Sequence, residues 1–563
     1  MSTYNDASLI YYPSGYKASK AYSLKPTDGS GDLTFTRAST ATRVNEQGLI
    51  EGVRTNLILQ SNTFSDASWN KVAQGVGSVS VVTPNYTTDP FGGNNAWRFQ
   101  CNLNGGTTSN DRSWMLQSFT PIANSILSIY IKLNVAGSKT IILSNGGGNV
   151  QTITSTDWVR INIATSGSSG QFRIGLIGNA TSDTLDCSIA FAQAETGDIA
   201  TEYIPTTTTA VSVGMLANVP RIDYTGGGCG KLLLEPQRTN LLLYSELFNN
   251  AYWTSGGITI TPNSTTSPDG TLNAQKLTST SYNSVRRILS VSSSTIYTQS
   301  FYFKKDTSNE SWVQLSFTGG TAIQYGYRIN WTSFTISKIS GAYTDPTSVS
   351  FTSVGNGWYR FEMAASSTNN TSVTYSILPD SSATSSIFAW GAQLELGSYP
   401  TSYIPTTTTA VTMVGDACLT TNLQSSSIIG ATQGTFFLNT TKTTASTWIN
   451  QRIFETGTTT RSFLLDNSGG QIRLRVWDAS SVGPTITTSG LVEGFVKYLI
   501  KWDGTNVKVF ANGVLQGSSA APSYAYNTYS AYESTAYSNN AINQFLFFPT
   551  ALSDAECIAL TTL

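Results

Sequence analysis

Apolar and polar residues alternate with a period of two in short islands along most of the chain. Leu33-Thr34-Phe35-Thr36, Phe301-Tyr302-Phe303-Lys304 and Ile472-Arg473-Leu474-Arg475-Val476-Trp477 are examples. Successive side chains of a strand point to opposite faces, so these islands predict half-buried β-strands. Asn45 to Gly48, Asp503-Gly504 and Asn512-Gly513 fall between islands and predict tight turns. One short helix is predicted near the end, where Ser553 as N-cap and Glu556 three residues later form a capping box.

The islands repeat. Ala192-Gln193-Ala194-Glu195-Thr196-Gly197, then Thr201 to Pro205 and four threonines, returns as Ala392-Gln393-Leu394-Glu395-Leu396-Gly397, then Thr401 to Pro405 and Thr406 to Thr409, displaced by 200. Arg54-Thr55-Asn56-Leu57, Ser61, Phe64 and Trp69 return at Arg238-Thr239-Asn240-Leu241, Ser245, Phe248 and Trp253, displaced by 184. Further matches join Ser128 to Lys132 with Ser300 to Lys304, and Trp158 to Ile161 with Trp358 to Phe361. Matched islands with a drifting offset describe a duplicated domain whose strands are kept while its loops vary. The second copy gains about 28 residues between Lys304 and Trp358.

The chain therefore reads as an arm at 1–53, a first repeat at 54–210, a connector at 211–237, a second repeat at 238–413, a linker at 414–433 and a third unit at 434–563. The fold class is all-β, with a β-sandwich in each repeat, and the resemblances of the repeats and of the third unit imply tandem jelly-roll β-sandwiches plus a C-terminal lectin-like β-sandwich. The arm, with Tyr11-Tyr12-Pro13-Ser14-Gly15-Tyr16 and no repeat partner, is expected to be extended and ordered only against a partner or another subunit.

Composition narrows the chemistry. Of 563 residues 32 are basic and 33 acidic, so neither nucleic acid nor an anionic membrane surface has an electrostatic footprint here. Membrane insertion is not expected, because no apolar run approaches about 18 residues, and no secretory signal is seen at the start. The five cysteines stand singly, which predicts free or buried thiols. Histidine is absent, which removes the commonest general base, the serine triad, the cysteine–histidine dyad and most catalytic zinc sites, so an enzyme would have to run on carboxylates. Glu195 and Glu395 lie in different repeats and do not make the carboxyl pair that glycoside hydrolysis needs. With Gln193, Gln393, Arg160 and Arg360 they are expected to close each repeat, the carboxylates accepting from the following turn and the arginines as possible ion-pair partners. No cofactor is expected, although a structural calcium is allowed. Aromatics without a repeat partner are the candidates for stacking on a sugar face: Trp312, Trp331, Trp390 and Trp477, with Trp97 and Trp114 behind them. Trp69, Trp253, Trp158 and Trp358 recur in both copies and are expected in the core.

Trp502-Asp503-Gly504 through Val514, with the closing Phe548-Pro549-Thr550-Ala551-Leu552-Ser553-Asp554-Ala555-Glu556, resembles a laminin-G-like or concanavalin-A-like sandwich. Gly357-Trp358-Tyr359-Arg360-Phe361 and the two Ala-Gln-x-Glu-x-Gly endings resemble the carbohydrate-binding-module-like jelly rolls of bacteriophage virion proteins. Leu33 to Arg43 and Pro220 to Tyr224 are similar to phage tail or head fibre sequence. Copy one departs from the pattern, with Asp157 before Trp158 and Ala190 in the place of Trp390. The resemblance implies a non-enzymatic fibre or decoration protein on the virion surface, commonly a homotrimer, joined to capsid or tail proteins through the arm and contacting host-surface glycans. A polysaccharide depolymerase and a bacterial surface lectin are the alternatives.

Overall fold

The computed structural model describes residues 3–562 apart from 121–124, 166–168, 198–199, 280–282, 380–383, 422, 424, 431, 443–447, 450–454, 457–461, 469–470, 479–480, 489–493, 521–527 and 533–539. The regular secondary structure of the described residues is β-strand, except for a short 3-10 turn at Thr3–Asp6 and the helix Asp554–Thr561. Ser553 caps that helix and Glu556 returns the bond, completing the expected capping box. Contacts divide the chain into two compact units, Val53–Gly214 and the remainder.

Val53–Gly214 is one jelly roll. Its first sheet runs Val159–Thr165, Ser125–Leu133, Thr184–Thr196, Ala96–Asn102, Val81–Thr87; its second runs Val150–Ile153, Lys139–Ser144, Gln171–Ile177, Arg112–Ser118, Asn70–Gln74. Inward residues of both sheets, among them Phe99, Ile129, Phe172 and Ile174, form the core with Phe64 and Trp69. The second repeat builds the same sandwich. The sheet Ile258–Thr265, Ala274–Ser279, Ser385–Leu396, Ile296–Lys305, Trp358–Ser366, Ser348–Gly355 faces the sheet Val285–Ser290, Ser372–Leu378, Glu310–Thr318, Ile323–Asn330, Thr335–Lys338. The gained residues include the edge strands Thr335–Lys338 and Ser348–Gly355, one added to each sheet.

The duplicated opening and ending bond to each other. Asn240 donates to the carbonyls of Ala392 (3.1 Å) and Ile404 (2.9 Å) and accepts from the amides of Leu242 and Leu394 (3.1 Å each). Asn56 makes the same four bonds, to Ala192, Ile204, Ile58 and Ala194. Both asparagines are fully buried. Each Arg-Thr-Asn strand also pairs with the strand beyond the exit threonines, Arg238–Asn240 with Val411–Met413 and Val53–Asn56 with Val211–Gly214. Four buried backbone groups lose their partner if the amide goes, at about 1 kcal/mol or more apiece. Asn240→Ala is therefore expected to destabilise the second sandwich by about 3–5 kcal/mol in chemical denaturation.

The C-terminal sandwich takes strands from three parts of the chain. In one sheet Gly434–Lys442, Gly494–Trp502, Asn506–Ala511 and Val514–Ala520 pair in turn, and Asn540–Phe548 lies on the other side of Gly434–Lys442. The free edge of Asn540–Phe548 then receives two short strands end to end: Leu9–Tyr11 on Phe545 to Phe547, and Lys231–Leu234 on Asn540 to Ile542. Leu33–Thr36 joins a second sheet beside Ala417–Thr421. The N-terminal segment, expected as an arm waiting for a partner, is thus structural: Leu9, Tyr11, Leu33 and Phe35 are fully buried in the same core as Phe436, Tyr498 and Phe547. The reason is edge completion, since without these strands Asn540–Phe548 would present an unpaired hydrophobic edge. Asn512 and Gly513, both at positive φ, make the expected hairpin turn.

Where those segments meet lies a buried ionic network. Arg37 and Arg221 both contact the Asp416 carboxylate, Arg37 at 3.1 Å, and Arg221 also pairs with Glu235 at 2.6 Å. The amide of Glu235 donates to Asp416 (2.8 Å), and the amide and hydroxyl of Ser402 donate to Glu235 (2.7 Å each). Burial alone would lower the Arg221 pKa; Asp416 and Glu235 outweigh it and raise it.

Candidate functional site

Each repeat ending is a structural clasp. Thr401 donates through amide (3.0 Å) and hydroxyl to Glu395, Gln393 donates to the same carboxylate (2.6 Å), and Ile404 donates to Gln393 (2.7 Å). Burial raises the Glu395 pKa, opposed by those donors. Glu195 accepts from Thr201 in the same way, and Gln193 accepts from Ile204. Arg360 donates to the Thr401 carbonyl (2.6 Å) and pairs with Glu362 (3.3 Å). Arg160 donates to Thr201 and Ser128.

Two of the aromatic candidates are not available to a sugar. Trp331 is 0% exposed inside the second sandwich, among Phe303, Phe351 and Tyr359. Trp390 is 1% exposed and packs against Tyr302, Tyr403 and Trp358, with Ile50 over the group. Their lack of a repeat partner reflects how copy two seals its faces. Trp358 belongs to this outer cluster rather than to the inter-sheet core, and its counterpart Trp158 is half-buried under Lys132. Trp312 is half-buried, with the Arg328 guanidinium 5.6 Å from its ring centre. Trp477 lies on the strand Gln471–Asp478, and its side chain falls outside the described residues.

The open site lies on the outer face of the five-stranded sheet of copy two. Val285, Val373, Tyr375, Ile377, Val313 and Leu315 point inward to the core, so the alternate residues of the same strands face out. Register aligns them in rows. Arg286 faces Ser376, Ser376 faces Gln314 and Gln314 faces Gly326; in the next row Ile288, Thr374, Ser316 and Gln324 align. A cavity of about 460 Å³ opens there, lined by Gly256, Asn283, Ser284, Arg286, Gln314, Ser316, Thr374, Ser376 and Leu378. Tyr343 packs beside these rows, over Gly326. Its ring lies where a Cβ on Gly326 would sit 2.6 Å away, and its hydroxyl is held by Gln314 at 2.8 Å. Trp312 borders the rim, across the strand pair from Leu378. The lining is hydroxyl, amide and guanidinium, with no carboxylate among its described residues.

Copy one has filled the same face. Asn70 pairs with Leu116 and, after the matched Trp253, Thr254 bridges Arg286, so Trp114 stands at the position of Ser284. Trp114 lies over Gly175, where a Cβ would collide with it, between the guanidinium groups of Arg112 (4.9 Å) and Arg173 (5.4 Å). Among the described residues no cluster of three acidic or thiol groups has metal-binding spacing, and no helix is long and apolar enough to cross a membrane. The five thiols are free.

No family model matches the chain, and no curated protein matches it in sequence. Solved structures similar to parts of it include the CBM40 of Ruminococcus gnavus IT-sialidase bound to α2,3-sialyllactose, at 22% identity over 23% of this chain and 84% of that one, with a TM-score of 0.20. Domain 4 of AbnA, a GH43 extracellular arabinanase from Geobacillus stearothermophilus in complex with arabinotriose, aligns at 13% identity over 28% and 78%, with a TM-score of 0.21. The tandem CBM22-1–CBM22-2 of Paenibacillus barcinonensis Xyn10C aligns at 12% identity over 64% and 100%, with a TM-score of 0.21. The β-sandwich assignment rests on the strand pairing itself.

Proposed function

We propose that this chain is a non-enzymatic glycan-binding protein displayed on a phage particle, as a head or tail fibre or decoration protein, and that it assembles as a homotrimer. The observation that carries the binding half is the polar cleft on the outer face of the second sandwich. Its volume and its ring of hydroxyl and amide groups suit a hydroxyl-rich ligand. A lining without described carboxylates supports capture over cleavage, because hydrolysis needs an acid and a base or nucleophile at the bond. The virion half rests on the resemblance of Leu33 to Arg43, Pro220 to Tyr224 and the repeat endings to phage fibre sequences. Three copies in one particle-bound trimer would turn weak single-site contacts into firm attachment.

The test is retention of the purified full-length chain on host-surface polysaccharide. Gln314→Ala, which removes a cleft amide and its bond to the Tyr343 hydroxyl, is expected to weaken retention about tenfold, with the melting temperature little changed. Full retention by this variant would remove the cleft from the proposal. Antibody labelling of intact particles tests the virion half, and absence of label would overturn it.

A further inference from the structure

We infer that the second sandwich selects anionic glycans, and that Arg286 is the residue that reads a sugar carboxylate. This rests on the cleft being the glycan contact proposed above. Other arginines on the outer faces of the two sandwiches are already engaged. Arg328 pairs with Glu310 and lies over Trp312, Arg98 pairs with Asp186, and Arg112 and Arg173 clasp Trp114. The Arg286 guanidinium has no ion-pair or side-chain hydrogen-bond partner among the described residues, and it stands in a cleft whose other lining groups are neutral.

Arg286 is exposed to an oncoming ligand, and a guanidinium without a counter-ion attracts an opposite charge. The guanidinium fork also matches a carboxylate in a two-bond geometry that an ammonium does not offer. Around it Asn283, Ser284, Gln314 and Ser376 supply groups for neighbouring hydroxyls, while exposed Ile288 offers an apolar contact in the adjacent row. The whole chain carries a net charge of −1, so attraction to an acidic polymer needs a local positive site, and Arg286 supplies one. Copy one cannot duplicate it: Trp114 fills the place of Ser284, and its two arginines face the indole. Divergence after duplication has left the anion-reading cleft to copy two.

The experiment uses the full-length chain against polygalacturonate, alginate and hyaluronan, each beside its carboxyl methyl ester, with dextran and xylan as neutral polymers. The expected result is retention on at least one acidic polymer, at least tenfold weaker on its ester, and weakened by added salt. Arg286→Gln should erase the difference between acid and ester without lowering the melting temperature, because the side chain supports nothing in the fold. Ser284→Trp, which imports the copy-one plug, should abolish retention on every polymer. Equal retention of acid and ester, or retention of the neutral polymers alone, overturns the inference and leaves the glycan-binding reading standing. No retention on any polymer overturns both. Retention that survives Ser284→Trp overturns the assignment of the cleft.

Discussion

Replacing Asp416 by alanine is expected to cost the larger unit about 3–5 kcal/mol, enough to unfold many domains of ordinary stability. Asp416 is fully buried and contacts two arginines that are themselves fully buried, Arg37 and Arg221. With Glu235 the four charges sum to zero; without Asp416 a positive charge stays in the interior uncompensated. The size of the effect comes from that orphaned charge more than from the lost attraction. An exposed pair gives the contrast: Lys338 and Asp345 are 2.8 Å apart, but the aspartate is 76% exposed, and removing it should cost under about 1 kcal/mol. Urea denaturation of both variants measures the difference. Equal small losses would mean that the network contributes little to stability.

The second large effect is expected on deleting residues 1–36. Leu9, Tyr11, Leu33 and Phe35 are fully buried in the C-terminal core, and burying each such side chain stabilises by about 1.5–3 kcal/mol before its ordering entropy is counted. The deletion also strips backbone partners from Phe545 to Phe547 and from Ala417 to Leu419. The truncated chain should lose the cooperative unfolding of the C-terminal sandwich and aggregate through the bared strand edge. The first sandwich, with its separate core, serves as the internal reference. A dispensable arm would leave all transitions unchanged, so differential scanning calorimetry separates the two outcomes.

The duplication and its closing motifs were legible because both copies carry the same short words at a fixed offset. The structure explains those words: Asn56 and Asn240 bridge opening to ending, and Ser61 and Ser245 each meet the hydroxyl of the following Tyr203 or Tyr403 at 2.6 Å. The role of the N-terminal segment was hidden by distance along the chain. Leu9–Tyr11 is three residues long, and its partner strand begins at Asn540. No local pattern in Leu-Ile-Tyr points to Phe545 to Phe547. The cleft was hidden for a different reason. Arg286, Gln314 and Ser376 sit on three separate strands, and each alone looks like an ordinary outward residue of an alternating strand. Only strand register makes them neighbours. Trp331 and Trp390 misled because an aromatic without a repeat partner signals divergence, and here divergence altered packing.

The strand order of the C-terminal sandwich has a consequence for synthesis. The first sandwich draws all its strands from Val53–Gly214 and can close as soon as that stretch has left the ribosome. The edge strand Leu9–Tyr11 has to wait for Asn540–Phe548, which is made long after it. The nascent chain therefore carries a sticky apolar segment ahead of a finished domain throughout translation. That pairing closes a very long loop of chain. A chain interrupted before residue 540 lacks the strand that covers Leu9–Tyr11 and keeps that apolar segment bare.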